Sequence, residues 1–348
     1  MKVEHKVSPV KYCTNCALPS TFPGIHLNDK GVCKFCLEFN DMEYHQAKKV
    51  EYERKFDVLI KEYKGRSSYD ALMCYSGGKD SAYTLAILKE KYNLNVLAVS
   101  FDNGFLPKQT LENIRQVVEK IGVDHIMIKP RFDVLAKIFS YCADNEIYPL
   151  KYLERSSAIC TSCMGIIKYS ALRLALEKGI PLIAFGWSPG QAPISSSIMK
   201  NIPIMIKKMQ KTLYNPLYRI VGDQINPYFL EDNHFNGSFR FPYNINPMAF
   251  LDYNIETIYN SISRFGWKRP EDVDANSTNC LLNSYANLVH KERLGFHPYA
   301  FELANLVREG NLNRDIALQR LQTEENPLIV EMVRQKLEKE KKCFSQKC

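Results

Sequence analysis

The stretch that decides the fold is Ser76-Gly77-Gly78-Lys79-Asp80-Ser81. An apolar run, residues 71–75, comes directly before it, and apolar residues at helical spacing, 82–88, follow it. A strand that passes through two glycines into a helix presents free backbone N–H groups and the positive end of a helix dipole at one point. The Lys79 ammonium and two serine hydroxyls add hydrogen-bond donors. The stretch therefore predicts a binding site for an anion, in particular the phosphates of a nucleotide.

This hexapeptide differs from the common P-loop, because G-x-x-x-x-G-K-[ST] separates its glycines by four residues and Gly77 and Gly78 are adjacent. It resembles the pyrophosphate loop (PP-loop) of the N-type ATP pyrophosphatases, which include GMP synthetase, asparagine synthetase and tRNA-thiolating enzymes. The resemblance implies that residues 76–81 hold the β,γ-pyrophosphate of ATP, that Asp80 helps to hold Mg²⁺, and that Lys79 and Asp80 serve catalysis. A substrate oxygen would attack the α-phosphate, and nitrogen or sulfur would then replace that oxygen as AMP leaves. The alternative is a merely tight turn between strand and helix.

The composition is that of an ordinary soluble globular protein. The 348 residues are 45% hydrophobic and 24% charged, and no stretch approaches 18 uninterrupted apolar residues. The N-terminal residues 1–6 lack the apolar segment of a signal peptide, so we expect a cytoplasmic protein without a membrane partner. The net charge of +8 suits an anionic substrate but does not require nucleic acid. Cytosolic thiols stay reduced, so the eleven cysteines indicate metal or redox chemistry.

The N-terminal region carries two C-x-x-C pairs. They are separated by sixteen residues and consist of Cys13, Cys16, Cys33 and Cys36. Four thiolates at this spacing match tetrahedral Zn²⁺, and a closed four-sulfur site leaves no open position for substrate. The pattern predicts a structural zinc ribbon. Residues 12–36 also resemble the N-terminus of the N-acetyl sugar amidotransferases, in Tyr12-Cys13-Thr14-Asn15-Cys16, Leu18-Pro19-Ser20-Thr21 and Pro23-Gly24-Ile25.

Apolar runs alternate with helical patterns from residue 70 onward. Strands are predicted at 70–75, 95–101, 124–129 and 181–186, and helices near 80–92, 109–121, 132–145 and 163–178. This alternation predicts an α/β fold with a doubly wound parallel sheet whose ligands lie at the carboxyl ends of the strands. The resemblance specifies an adenine nucleotide alpha hydrolase-like fold, and it implies that Asp102 and Gly186, at two further strand ends, help to bind the nucleotide. Asp102-Asn103-Gly104 can equally be a simple turn.

A further C-x-x-C pair, Cys160 and Cys163, precedes a predicted helix, and a lone Cys280 ends the polar stretch 276–279. This order of cysteines resembles the iron–sulfur-dependent tRNA 2-thiouridine synthetases. The resemblance implies that the three cysteines ligate a [4Fe–4S] cluster with one open iron, next to an adenylated carbon. Two alternatives remain open. Cys160 and Cys163 can form a persulfide and disulfide relay without iron, or all three can be ordinary cysteines.

Five regions follow from these patterns. They are a zinc ribbon (1–41), a linker helix (42–66), a PP-loop ATP-binding domain (67–190), an insertion or substrate cap (191–253) and a helical C-terminal region (254–348). Helices are predicted in the last region near 254–265, 281–294, 299–309, 314–322 and 326–342. Methionines and aromatic residues in the insertion are typical of a protein core.

Three functional hypotheses result. The first is an ATP-dependent sulfurtransferase that uses the cluster, with Cys160, Cys163 and Cys280 serving catalysis. The second is an amidotransferase that inserts ammonia from a glutaminase partner, which the resemblance over residues 12–101 favours. The third is a non-catalytic nucleotide- or RNA-binding module, which the intact motif disfavours. A small-molecule or nucleotide-like substrate is expected. Trp187 and Pro189 stand where tRNA-modifying relatives carry a histidine and acids, so tRNA is not favoured, and a homodimer is considered but not required.

Overall fold

A computed structural model describes residues 10–39, 41–274 and 276–345, without the side chains of residues 342–345. Residues 1–9 of the predicted zinc ribbon and residues 346–348 of the predicted C-terminal region lie outside the described residues.

The described strands are short. They are β1 (Ala71–Cys74), β2 (Val96–Phe101), β3 (Asp124–Ile128), β4 (Leu182–Phe185), β5 (Ile198–Lys200) and β6 (Tyr243–Ile245). The described α-helices are α1 (Lys34–Leu37), α2 (Met42–Tyr63), α3 (Lys79–Ala86), α4 (Lys108–Ile121), α5 (Phe132–Asp144), α6 (Leu150–Leu153), α7 (Ala158–Lys178), α8 (Pro203–Val221), α9 (Ile255–Ser263), α10 (Leu282–Leu294), α11 (Ala300–Arg308), α12 (Arg314–Gln322) and α13 (Pro327–Ser345). The helix that begins with α3 continues through a π-helical turn, Ile87–Lys91.

The strands form one sheet in the order β3-β2-β1-β4-β6-β5. All neighbours pair in parallel except β5, which runs antiparallel to β6. The chain moves outward from β1 to β3 on one side and then crosses back to β4, which lies on the other side of β1. The predicted α/β fold with a doubly wound, largely parallel sheet and a helical C-terminal region is therefore confirmed.

Each face of the sheet has its own hydrophobic core, because successive side chains of a strand point to opposite faces. Leu72 packs with α5, α7 and α10 on one face, while Met73 packs with α2, α3 and α4 on the other. The amphipathic helix α4 shows how the sequence achieves this. It buries Ile114, Val117 and Ile121 at helical spacing. It ends at Gly122, whose φ of +72° is the left-handed conformation of a helix C-cap.

The sheet extends beyond the last strand that the sequence predicts. The segment 191–253 adds β6 beside β4 and β5 at the edge, so this segment is part of the sheet as well as a cover for it. Both strands are three residues long, and β6 has a buried asparagine at its centre. Asn244 exchanges side-chain hydrogen bonds with Asn201 at 3.0 and 3.1 Å. A short strand with a polar centre lacks the apolar alternation by which strands are found in sequences.

Helix α7 is long and apolar enough to span a membrane by length and composition, and no other helix in the described part of the chain is. Two thirds of its most apolar window, 67%, is buried inside the protein, where α7 packs against α5 and β4. Core helices of soluble α/β proteins have the same character.

Candidate active site

The candidate site lies where the sheet changes direction. Strands β1 and β4 are neighbours, but the chain leaves β1 toward one edge of the sheet and leaves β4 toward the other. The loops that follow these two strands therefore diverge and leave a crevice at their carboxyl ends. Gly186 directly follows β4, and a Cβ atom at this position would lie 2.4 Å from the Cα of Ser81. Only glycine allows β4 to end so close to the start of α3, and this packing is the role that the structure shows for Gly186.

The PP-loop itself is tightly fixed. Gly77 has a φ of +80°, and a Cβ atom there would lie 2.8 Å from the Cγ2 of Thr110, so the position requires glycine. The Oγ atoms of Ser76 and Ser81 are 3.0 Å apart across the loop. The Nε1 of Trp267 donates a hydrogen bond of 2.9 Å to the carbonyl of Gly77. These contacts hold the loop in one conformation at the N-terminus of α3.

Lys79 and Asp80 form a compact charged group with a third residue that the sequence does not reveal. The Nζ of Lys79 donates to both carboxylate oxygens of Asp80 at 2.7 Å and to the hydroxyl of Tyr253 at 2.8 Å. Burial alone would lower the pKa of Lys79, but the Asp80 carboxylate and Tyr253 outweigh it and raise that pKa. Lys79 is therefore a permanent cation, held at the N-terminus of α3.

A segment from the C-terminal region, residues 276–283, lies directly on the PP-loop. The Oγ1 of Thr278 accepts a hydrogen bond of 3.3 Å from the backbone N–H of Lys79. The Nδ2 of Asn279 donates to the carbonyl of Ser76 at 3.2 Å. The backbone N–H of Leu281 donates to the carbonyl of Phe105, in the loop after β2, at 3.0 Å. This segment therefore places Cys280 between two strand ends of the crevice.

The three cysteines of the second predicted metal site come together there. The Nδ2 of Asn103 donates to the sulfur of Cys163 at 3.6 Å and to that of Cys280 at 3.4 Å. The Nδ2 of Asn283 approaches the sulfur of Cys160 at 3.8 Å. Cys160 lies in the first turn of α7, whose N-cap Ser157 accepts from its backbone N–H at 3.1 Å. The side-chain amides of Asn103 and Asn283 thus contact all three sulfurs, although Cys160 and Cys280 are more than a hundred positions apart in the chain.

Burial dominates the chemistry of these thiols. It raises the pKa of Cys160 to about 11, and it also raises the pKa values of Cys163 and Cys280. A thiol with a raised pKa is a poor nucleophile at neutral pH, because the thiolate is the reactive form. This observation disfavours the relay of activated thiolates.

Asp102 lies at the edge of the same site. Its Oδ1 accepts from the backbone N–H of Gly104 at 2.9 Å, and its Oδ2 pairs with the Nζ of Lys129 at 2.9 Å. The carboxylate therefore shapes the loop after β2, and its predicted role in nucleotide binding stays a prediction. The neighbouring Asn103, which the sequence pattern places in a possible turn, is the residue whose side chain points to the cysteines.

Two further half-buried residues link the two halves of the crevice. Glu302 on α11 accepts a hydrogen bond of 2.6 Å from the Oγ of Ser188, in the loop after β4, and burial raises the pKa of its carboxyl group. The hydroxyl of Tyr299 lies 3.2 Å from the Nδ2 of Asn283. The sequence shows no signal for either residue, because their proximity to the crevice depends on how the C-terminal helices fold back.

The four N-terminal cysteines form a separate cluster. The sulfurs of Cys13 and Cys36 are 3.8 Å apart and those of Cys16 and Cys33 are 3.6 Å apart. All four sulfurs lie within 4.8 Å of one another, which is close enough for one metal ion. Three of the four cysteines are fully buried. The predicted cysteine-rich N-terminal cluster is confirmed.

Residues 70–188 match the family model of the arginosuccinate synthase N-terminal HUP domain. This match covers the four parallel strands β1–β4 and the PP-loop. Over residues 70–188 the chain is therefore similar to the N-type ATP pyrophosphatase superfamily. Members of this superfamily are ATP-using enzymes.

Individual relatives share modest identity with the chain. It is 24% identical over 306 residues to an uncharacterized protein of Methanocaldococcus jannaschii, covering 87% of this chain and 90% of the relative. It is 30% identical over 121 residues to the argininosuccinate synthase of the same organism, covering 33% of this chain and 28% of that enzyme. Among solved structures it is similar to the U34-tRNA thiolase NcsA from Methanococcus maripaludis with its [4Fe-4S] cluster. That similarity has 17% identity, covers 90% of both chains and has a TM-score of 0.35, so it does not indicate a shared reaction.

Proposed function

We propose that this protein is an ATP-dependent sulfurtransferase, which adenylates a carbonyl or amide oxygen of its substrate and replaces it with sulfur. The observation that carries the proposal is the convergence of Cys160, Cys163 and Cys280 beside the PP-loop. The segment that supplies Cys280 also contacts Ser76 and Lys79. An enzyme that only adenylates its substrate has no need for three converging thiols at this place.

The PP-loop supplies the adenylation step. The free backbone N–H groups at the start of α3 and the Lys79 ammonium would hold the β,γ-pyrophosphate. Asp80 would contribute a hard oxygen ligand to Mg²⁺ once the Lys79 ammonium pairs with the phosphates instead of with Asp80. Tyr253 contacts both side chains and would keep them oriented as their partners change.

The residues around the three cysteines fit a [4Fe–4S] cluster. Cys163 is buried, and Cys160 and Cys280 are half-buried. The sulfurs of Cys163 and Cys280 accept N–H donation from the Asn103 amide, which is the kind of contact that tunes cluster potentials. The sulfurs of Cys160, Cys163 and Cys280 do not all lie within 4.8 Å of one another, as those of the N-terminal cluster do. This wider spacing suits a [4Fe–4S] cluster, because its ligands bind different iron atoms and so lie farther apart than the ligands of a single ion. When bound, the cluster would supply a soft iron with an open position for hydrosulfide.

The N-terminal cluster fits Zn²⁺. Tetrahedral geometry with Zn–S bonds of about 2.3 Å places neighbouring sulfurs about 3.8 Å apart. The observed separations of 3.6 and 3.8 Å agree with a single ion in a closed site. We therefore assign this cluster a structural role.

The test is the iron content of protein purified without oxygen. We expect about four iron atoms per chain and a brown absorption band in the wild type. Cys280→Ala should lose the iron and the sulfur transfer while it still binds ATP, because the PP-loop is built from other residues. Cys142→Ala is the matched control, since Cys142 is a buried cysteine on α5 whose sulfur forms a hydrogen bond with the hydroxyl of Ser162. Equal iron in Cys280→Ala and the control would contradict the assignment.

The amidotransferase remains the second candidate, because residues 12–101 resemble the sugar-modifying enzymes. It needs a glutaminase partner to supply ammonia but no iron. Two results together would select this function. The wild-type protein would lack iron after anaerobic purification, and it would form AMP and pyrophosphate when ammonia and an N-acetyl sugar are added. A cytoplasmic location agrees with either proposal.

A further inference from the structure

A cavity of about 340 Å³ lies where several parts of the chain meet. Its walls come from the cysteine ribbon, from helix α2, from the loop after β4 and from helix α11. This volume is within the range of binding sites for small molecules. The described residues that line the cavity include neither the PP-loop nor Cys160, Cys163 and Cys280, so the cavity is distinct from the candidate active site.

Three cations line the cavity, namely Lys49, Arg155 and Arg308. None of them forms an ion pair with a carboxylate in the described part of the chain. Arg308 donates from Nη1 to the sulfur of Cys16 at 3.0 Å, so a thiolate of the proposed Zn²⁺ site can offset its charge. Lys49 and Arg155 have no such anionic partner, and they are the two cations that a ligand could engage.

Two acids also line the cavity, but the cations outnumber them. Glu38 is exposed, so water solvates its carboxylate. Glu309 is half-buried, and its Oε2 accepts from the Nδ2 of Asn311 at 3.3 Å. The planar guanidinium of Arg155 and the ammonium of Lys49 are donors suited to a phosphate or a carboxylate. The balance of charge therefore favours an anionic ligand.

The remaining wall of the cavity is largely apolar and includes Phe39, Pro193 and Ile194. His45 stacks on Phe39 with ring centroids 4.2 Å apart. The Nε2 of His45 is buried and has no hydrogen-bond partner among the described residues. Buried polar atoms normally have partners, so this nitrogen supports the presence of a ligand in the cavity. Apolar surface together with unpaired cations fits a ligand that carries an anionic group on an apolar body.

The cavity shares the loop after β4 with the candidate active site. The Nη1 of Arg155 donates to the carbonyl of Gln191 at 2.8 Å, and the Nδ2 of Asn305 donates to the carbonyl of Gly190 at 2.9 Å. The same loop supplies the hydroxyl that donates to Glu302 in the crevice. A ligand held by Arg155 therefore acts on a loop that also shapes the crevice.

We propose that this cavity binds a small ligand that carries a phosphate or carboxylate group on an apolar body. Lys49 and Arg155 hold the anionic group, and the apolar wall packs on the body. The bound ligand braces the loop after β4 and so stabilises the crevice. The inference does not depend on whether sulfur or nitrogen is transferred.

The experiment is a calorimetric titration of the full-length protein at low salt. Phenyl phosphate and benzoate carry the two candidate anionic groups on the same ring, and benzyl alcohol carries neither. We expect at least one of the two anions to bind in the cavity, with one molecule per chain, and benzyl alcohol not to bind. The anion that binds more tightly identifies the anionic group of the ligand.

Variants of the cavity locate the binding. Lys49→Gln and Arg155→Gln should each weaken binding about tenfold or more, because each removes a charge-assisted hydrogen bond. Glutamine at position 155 keeps an N–H donor for the carbonyl of Gln191. Ala192→Leu fills the cavity without removing a charge, so it should also block binding. Lys61→Gln is the matched control, since Lys61 is an exposed lysine of α2 outside the cavity, and it should bind as the wild type does.

A last variant separates the cavity from the PP-loop, which can itself bind a phosphate. Lys79→Ala should keep the binding event of the cavity, because Lys79 does not line it. Loss of all binding in Lys79→Ala would overturn the proposal, as would a wild-type protein that binds neither anion. Wild-type affinity in both Lys49→Gln and Ala192→Leu would overturn it as well, even where Arg155→Gln fails to fold.

Discussion

At the scale of single residues, the PP-loop has the most direct link between chemistry and function. Lys79 and Asp80 neutralise each other in this structure, and their contact with Tyr253 holds both in the crevice. A triphosphate carries more charge than Asp80, so it can draw the lysine away and free the carboxylate for Mg²⁺. In the proposed function, the pair would thus balance its own charge until the nucleotide binds.

Removal of either charge should therefore stop adenylation. We expect Lys79→Ala and Asp80→Asn to slow pyrophosphate release by roughly 10²–10³-fold, the usual effect of losing one preorganised electrostatic contact. Mg-ATP binding should weaken in parallel, and the circular dichroism spectrum should not change. Asp57→Asn, at an exposed position of α2, is the control. Wild-type rates of pyrophosphate release in both variants would refute the role of the loop.

The sequence identifies the residues whose chemistry is encoded locally. The PP-loop, the four N-terminal cysteines and the pair Cys160 and Cys163 are visible as motifs, because a strand, a turn or a helix start sets their spacing. Cys280 joins that pair only through the resemblance to a known family. Tyr253 and Glu302 could not be found in this way. Each reaches the crevice only through the packing of distant helices, and neither stands in a pattern that differs from a core aromatic residue or a surface acid.

At the scale of elements, the contact between β2 and β3 has a measurable pH dependence. His125 on β3 places its Nε2 2.9 Å from the Oγ of Ser100 on β2, and that hydroxyl donates to the carbonyl of Tyr75 at 2.6 Å. Burial lowers the pKa of His125 below its ordinary value of 6.5. The neutral imidazole is therefore the form that the folded sheet accommodates.

Because the pKa of His125 is lower in the folded than in the unfolded chain, the stability of the protein should fall as the pH falls. Above pH 6.5 both the folded and the unfolded chain carry a neutral His125, so the full stability is present. As the pH falls below 6.5 the unfolded chain binds the proton first, and stability is lost until the folded pKa is reached. We expect His125→Gln, which keeps an N–H donor near Ser100, to lose less stability than the wild type between pH 7.5 and 5.5, measured by urea unfolding. His26→Gln, exposed in the ribbon, should behave as the wild type. An equal pH slope in His125→Gln would show that this residue does not titrate between the two states.

The bounds of β1–β4 and of the C-terminal helices agree with the sequence patterns to within a few residues. The two strands of three residues, β5 and β6, are too short to be recognised in the sequence. Strands β5 and β6 were missed because three residues give no readable alternation and Asn244 occupies a core position. The path of segment 276–283 was equally hidden. Its polar residues are typical of a loop, and only the structure shows that their hydrogen bonds end on the PP-loop.

At the scale of the whole molecule, the cysteine ribbon is attached to the end of the chain. Phe22 and Ile25 share a buried cluster with Leu303 on α11 and Leu321 on α12. Arg314 donates from Nε and Nη2 to the carbonyl of Cys13 at 3.1 and 3.0 Å. Residues three hundred positions apart therefore form one small core, and α11 carries Glu302 from this core into the crevice.

This attachment gives the Zn²⁺ that we propose for the ribbon an importance beyond its own segment. Cys33→Ser should reduce bound zinc by one ion per chain, because a serine hydroxyl is a poor substitute for a thiolate. A segment this short cannot bury enough apolar surface to stay folded without the ion. The core that it shares with α11 and α12 should loosen as well, so we expect a lower melting temperature for the whole protein together with weaker ATP binding through the displacement of Glu302.

The measurement is zinc analysis of the purified protein with a thermal melt and an ATP titration on the same samples. Ser20→Ala, at an exposed position of the same ribbon, should keep the zinc and the melting temperature of the wild type. Zinc loss without any change in melting temperature would mean that the ribbon folds apart from α11. Unchanged zinc in Cys33→Ser would contradict the four-cysteine site itself, because the sulfur of Cys33 lies 3.6 Å from that of Cys16 and no other described cysteine stands near enough to replace it.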